Sequence, residues 1–67
     1  MNYYKLPESA KCPVCGKHIF TEWDETCPIC NWTYSFIQEE FPDDKKCENV
    51  MSLNEARKAY AEGREIY

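Results

Sequence analysis

The sequence predicts a single small metal-stabilised α+β domain, in which a pair of cysteine turns and a short β-hairpin are followed by a C-terminal helix. Three observations predict it. The chain has 67 residues, too few to offset about 1.5 kcal/mol of conformational entropy per ordered residue from its own core without an added staple. It carries five cysteines, four of them in two Cys-Pro-x-Cys units. Near its end, Ser52 stands three residues before Glu55 and ahead of an apolar stripe, the signature of a helix N-terminus.

The first ten residues, Met1 to Ala10, form a lead-in in which Tyr3, Tyr4 and Leu6 are interrupted by Lys5 and Pro7. They lack the apolar core and small-residue cleavage site of a secretory signal. No apolar run approaches the roughly 20 residues of a membrane helix, and neither end carries a lipidation motif. The expectation is a cytoplasmic protein with no membrane association. In that reducing compartment paired cysteines hold metal more often than they form disulfides.

The metal site is expected over residues 11–32. Cys12-Pro13-Val14-Cys15-Gly16 is matched by Cys27-Pro28-Ile29-Cys30-Asn31, fifteen residues further on. Two thiolates on one tetrahedral ion need their sulfurs close and on the same side, which a tight turn with two intervening residues provides. Pro13 and Pro28 fix the backbone angle at the start of each turn. After the second thiolate the chain doubles back through a left-handed conformation, where glycine is free of penalty and asparagine is among the few alternatives; Gly16 and Asn31 occupy those places. Backbone N–H groups in such turns face the sulfurs and damp their charge.

Cys12, Cys15, Cys27 and Cys30 therefore read as the four ligands of one zinc ion, in a zinc-ribbon or rubredoxin-like knuckle pair. Iron fits four tetrahedral thiolates as well, as the second choice. The competing readings are disulfides or a thioredoxin-type redox motif. The latter expects one such motif beside a strand-helix-strand unit for which this chain has no room. His18 follows Cys15 by three residues, but four thiolates already fill a tetrahedron. Cys47 stands apart, with Asp44 and Glu48 beside it and nothing to favour its thiolate, and reads as a spare thiol.

Between the turns, Lys17 to Thr26 has the length and composition of a short hairpin around Ile19, Phe20 and Trp23. A second strand is expected from Trp32 through Ile37, where Trp32, Tyr34 and Phe36 alternate with polar neighbours and present one aromatic face to the core. An acidic loop is expected over 39–48, containing Pro42, Asp43 and Asp44, with Phe41 in its midst. The helix follows over about 53–62, capped by Ser52 and Glu55 and ended by Gly63. It is too short to be stable alone and must dock its Leu53, Ala56 and Tyr60 stripe on the aromatic face.

These features occur in one order: Cys12 to Gly16, a short hairpin, Cys27 to Trp32, Gln38, Pro42-Asp43, Asn49, and Ser-Leu-x-Glu-Ala-Arg-x-x-Tyr from Ser52 to Tyr60. The chain thereby resembles the small bacterial cysteine-rich CPCC family from Lys11 to Gly63. The resemblance implies a zinc-ribbon-like module followed by a helix, and brings no assigned reaction with it. The chain departs from the family pattern in a shorter hairpin, in Thr33, Tyr34 and Ser35 where acidic residues are usual, and in Lys45, Lys46 and Cys47 where a Gly-Gly pair is usual.

The twelve acidic and eight basic side chains leave a formal charge of −4, and a divalent ion on four thiolates lowers it to about −6. That field counts against phosphate-neutralising nucleic-acid binding, and no basic stripe is visible along the chain. One histidine, no paired base and nucleophile and no open metal position count against an enzyme. Three readings of function remain: a zinc-stabilised module that binds or regulates another protein, a nucleic-acid-binding ribbon stacking bases on Trp23 and Trp32, and a rubredoxin-like iron electron carrier. The first leads. Phe41 is its candidate partner contact, an apolar anchor ringed by charge, unless it tucks into the core.

Overall fold

The computed structural model describes residue 6 and residues 10–67. Most of the expected lead-in lies outside the described residues. Two helices form, α1 over Phe36–Glu40 and α2 over Leu53–Ala61. The remaining pairing is confined to two isolated antiparallel bridges, Lys11 with Ile19 and Thr26 with Thr33.

Those bridges correct the expected hairpin. Backbone bonds join residues across each cysteine turn and not between the turns. Cys12 N donates to His18 O and Phe20 N to Ala10 O, while Cys27 N donates to Trp32 O and Tyr34 N to Glu25 O. Each turn is the tip of its own short arm. The segment between them is held by a side chain instead: Glu25 Oε1 accepts from the Thr21 N–H at 2.8 Å and from Thr21 Oγ1 at 3.1 Å. Its Oε2 lies 2.7 Å from His18 Nε2. Once a carboxylate satisfies these donors, no cross-strand carbonyl is needed to do so.

The expected second strand ends early. Trp32 and Tyr34 are buried as the alternation predicts, but Ser35 has extended backbone and accepts the Gln38 N–H on its hydroxyl, starting α1. Phe36 and Ile37 are therefore helical, as are Glu39 and Glu40, and the acidic loop begins only after Phe41. Tyr34 is the centre of an aromatic stack. Phe20 lies on one side at 4.2 Å between centroids and Trp23 on the other at 4.3 Å. Trp23 in turn meets the edge of Phe36 at 5.5 Å.

The 42–51 segment has no helix or strand, and two buried amides hold it. Gln38 Nε2 donates to the carbonyls of Asp44, Asn49 and Met51, and its Oε1 accepts from Asn49 N and Nδ2. Asn49 also brackets Thr33, accepting its N–H at 2.8 Å and donating to its carbonyl at 2.7 Å. This side chain does for Thr33 what a neighbouring strand would have done.

Helix α2 carries the full capping box: Glu55 N donates to Ser52 Oγ, and Ser52 N to Glu55 Oε1. Its end is a Schellman arrangement, with Arg64 N bonded to Ala59 O and Gly63 N to Tyr60 O, and Gly63 at φ +72°. Leu53, Ala56 and Ala59 are buried in one cluster with Trp32 and Tyr34, and Tyr60 packs against that cluster partly buried. Beyond α2 the chain returns to the core. Ile66 is buried, and Met51 N donates to Tyr67 O.

Candidate metal centre

The two cysteine turns share one backbone hydrogen bond and one left-handed position. Gly16 N donates to Cys12 O and Asn31 N to Cys27 O, both at 2.9 Å. Gly16 lies at φ +70° and Asn31 at φ +75°, the left-handed positions that the sequence assigns to them. A Cβ at Gly16 would meet only Lys11 Cδ, at an ordinary 3.8 Å, so the glycine is there for its dihedral and not for space.

The turns bring Cys12, Cys15, Cys27 and Cys30 together, with all four sulfurs within 4.8 Å of one another. Cys12 Sγ lies 3.5 Å from Cys30 Sγ, and Cys15 Sγ lies 3.7 Å from Cys27 Sγ. Sulfurs at the corners of a tetrahedron with arms of about 2.3 Å are about 3.8 Å apart, whereas a disulfide requires about 2.05 Å. All four are free thiols. The spacing fits a single central ion and excludes the disulfide reading for this arrangement.

Electrostatics lead to the same conclusion. Burial pushes the Cys12 and Cys30 thiols above their ordinary range, against N–H groups of Val14, Cys15 and Trp32 that favour the thiolate. At Cys15 burial also acts upward, but it is slight, and the Lys17 N–H and the neighbouring sulfurs bring this thiol below its usual value. Ile29 N points at Cys27 Sγ from 3.4 Å. The N–H two residues after each cysteine thus faces its sulfur in both turns. Four such sulfurs ionise together only around a cation, which is what this donor set would hold.

A protein-family model, Cysteine-rich CPCC, matches residues 10–63. The chain belongs to this family. No curated protein matches it. The structure now gives physical work to the family features outside the cysteines. Gln38 and Asn49 form the buried amide pair. Pro42 O and Asp43 Oδ1 accept from Asn54 N and Nδ2 at the start of α2. Arg57 Nε donates to Pro13 O at 3.0 Å, tying α2 to the first turn. Asn31 Nδ2 donates to Ile66 O at 2.9 Å, tying the second turn to the C-terminal segment.

Sequence reasoning did not find these last two ties, because nothing local marks a side chain that bonds a backbone 44 or 35 residues away. His18 lies outside the cysteine cluster and serves Glu25, whose carboxyl is held down to about 2 by the Thr21 N–H and by His18. Cys47 is exposed, and slight burial together with Asp44 and Glu48 keeps its thiol above the ordinary value. Phe41 does not tuck into the core; it is 58% exposed directly after α1. Among the described residues no helix is long and apolar enough to cross a membrane.

Proposed function

We propose that the chain is a small zinc-binding structural module that recognises another protein. The exposed pair Ile37 and Phe41 carries this reading. Phe41 N bonds Ile37 O, so the two side chains lie one helical turn apart, at 47% and 58% exposure. Beside Ile37 is a hollow of about 290 Å³ lined by Trp23 and Phe36, with Asp24 and Glu48 at its edge. An apolar anchor next to a concavity, with charge around it, has the composition of a small interface. Zinc is the ion of choice because a closed four-thiolate zinc site supplies the folding free energy that so small a core lacks.

Metal analysis and colour of protein purified without added metal test the ion. One equivalent of zinc in colourless protein is expected, and a coloured iron form would favour electron transfer. Capture from native host lysate tests the surface. A partner retained by the wild type and lost on Phe41→Ala, with zinc still bound, is expected. Submicromolar, salt-sensitive binding to mixed DNA or RNA would overturn the reading.

A further inference from the structure

The fold assembles a cationic groove that is invisible along the chain. The 45–51 segment, α2 and the C-terminal residues enclose about 400 Å³ between them. Among the described residues Lys45, Lys46, Lys58 and Arg64 line it beside a single acidic side chain, Glu55, and the terminal residue Tyr67. Half of the eight basic residues thus meet one of the twelve acidic ones, in a molecule whose net charge is negative. Two of the cations are occupied: Lys45 pairs with Glu55 at 3.0 Å and Arg64 with Glu62 at 2.7 Å. The other two, Lys46 and Lys58, make no ion pair among the described residues. The uncharged part of the lining is Val50 at 56% and Tyr67 at 58% exposure, with Met51 buried.

Lys46 is the telling residue. It sits at φ +56°, a left-handed conformation that is strained for a side-chain-bearing residue and costs a glycine almost nothing. Its N–H bonds Val50 O to close the turn, a bond that glycine would make equally well. The backbone thus gains nothing from a lysine here, whereas Lys58, in the last turn of α2, also suits the helix dipole. A lysine kept at a strained backbone position in the lining of a partly apolar groove is an arrangement for a ligand with negative charge and an apolar part.

We propose that this groove binds an acidic segment of another protein, seating an apolar side chain on Val50, Met51 and Tyr67 and placing carboxylates on Lys46 and Lys58. The proposal goes beyond the Ile37–Phe41 surface and uses none of its residues. A short peptide suits the groove better than a nucleic acid. The cationic lining is only a few residues across, the rest of the chain holds eleven acidic residues against four basic ones, and Tyr67 is the sole lining aromatic on which a base could stack.

The test is a fluorescence anisotropy titration of the metal-loaded 67-residue chain with a labelled hexapeptide, acetyl-Glu-Asp-Leu-Phe-Glu-Asp amide. The expected result is micromolar, salt-sensitive binding, weakened at least about tenfold by Lys46→Gly with Lys58→Gln. Lys46→Gly alone should melt no lower than the wild type, which separates loss of charge from loss of fold. The charge-matched control, Lys11→Gln with Lys17→Gln, should bind as the wild type does. Amide NMR signals of the unmodified protein that move on titration should cluster at 45–51, 58 and 64–67, a readout that needs no variant. Equal binding of the Gln/Asn version of the peptide, equal weakening by the control pair, shifts confined elsewhere, or tighter binding of oligo-dT at the same lysines would each overturn the proposal.

Discussion

The two cysteine turns share a five-residue pattern and the same backbone hydrogen bond, yet they are anchored to the rest of the molecule in different ways. The first is fastened through its own carbonyl, with Pro13 O accepting from Arg57 of α2, and Val14 leans on the core. The second is fastened through its own side chain, with Asn31 donating to Ile66 O, and Ile29 at its tip stays 51% exposed. The repeated residues dictate where the sulfurs go, and the unrepeated ones dictate what each arm docks against. Asn31 makes the difference clear. It tolerates the same left-handed dihedral as Gly16 and adds an amide that glycine lacks.

Breaking what the two turns share is expected to have the largest effect. Cys12→Ser and Cys27→Ser should be equally damaging, each losing the metal and unfolding the chain. On the proposed zinc assignment, the apparent free energy of a four-ligand site, about 10–16 kcal/mol, exceeds what a core this small supplies. Chelation of the wild type should reproduce the loss. Far-UV circular dichroism with metal analysis reads both, and a folded, metal-free Cys27→Ser protein would break the equivalence.

Substitutions at the left-handed positions sharpen the contrast. Gly16→Ala places a Cβ at φ +70° with room around it, so only the dihedral is penalised, at roughly 1 kcal/mol. Asn31→Gly relieves the dihedral but removes the bond to Ile66, at a net cost of about 0.5–1 kcal/mol. Thermal melts give the magnitudes. Amide exchange near residues 64–67 should quicken for Asn31→Gly alone, and equal quickening in both variants would mean that the tie to Ile66 is not specific to the second turn.

The smallest effect concerns the helix that fastens the first turn. Bonds from the Ser52 N–H and from Lys45 hold the Glu55 carboxyl below its ordinary value. A carboxyl whose folded value is depressed stabilises the fold above its unfolded pKa, and that contribution fades as pH falls toward the folded one. Glu55→Gln should therefore melt slightly below the wild type at neutral pH, with the gap narrowing on acidification below about pH 4.5. A gap independent of pH would assign the loss to something other than the carboxylate charge.

The cysteine cluster and α2 were legible because their signals are local. Two residues between thiols, a left-handed residue after them, and a Ser with a Glu three further on each act within one turn of chain. The same kind of local signal stood at Ser35, with Gln38 three residues on, and was hidden by the Trp32-Tyr34-Phe36 alternation, which reads as a strand up to the cap. The hairpin between the turns was misplaced because aromatic composition does not say which residues pair; Glu25 took the Thr21 donor that a strand would have used. The cationic groove needed the fold, since Lys45 and Arg64 are nineteen residues apart and meet only when the C-terminal segment returns to the core.

The Gln38 side chain bonds groups at Asp44, Asn49 and Met51 at once, and Asn49 passes the connection on to Thr33. A loop tied along its length by separate bonds can fray from either end. Here one shared amide makes three of the ties, so a rotamer change at Gln38 breaks the bonds at 44, 49 and 51 together, and the segment is left on the Asn49–Thr33, Ser35–Glu48 and Met51–Tyr67 bonds. Lys46 and Val50, which stand within that span and are joined by the Lys46 N–Val50 O bond, should therefore lose amide protection together when Gln38 turns away.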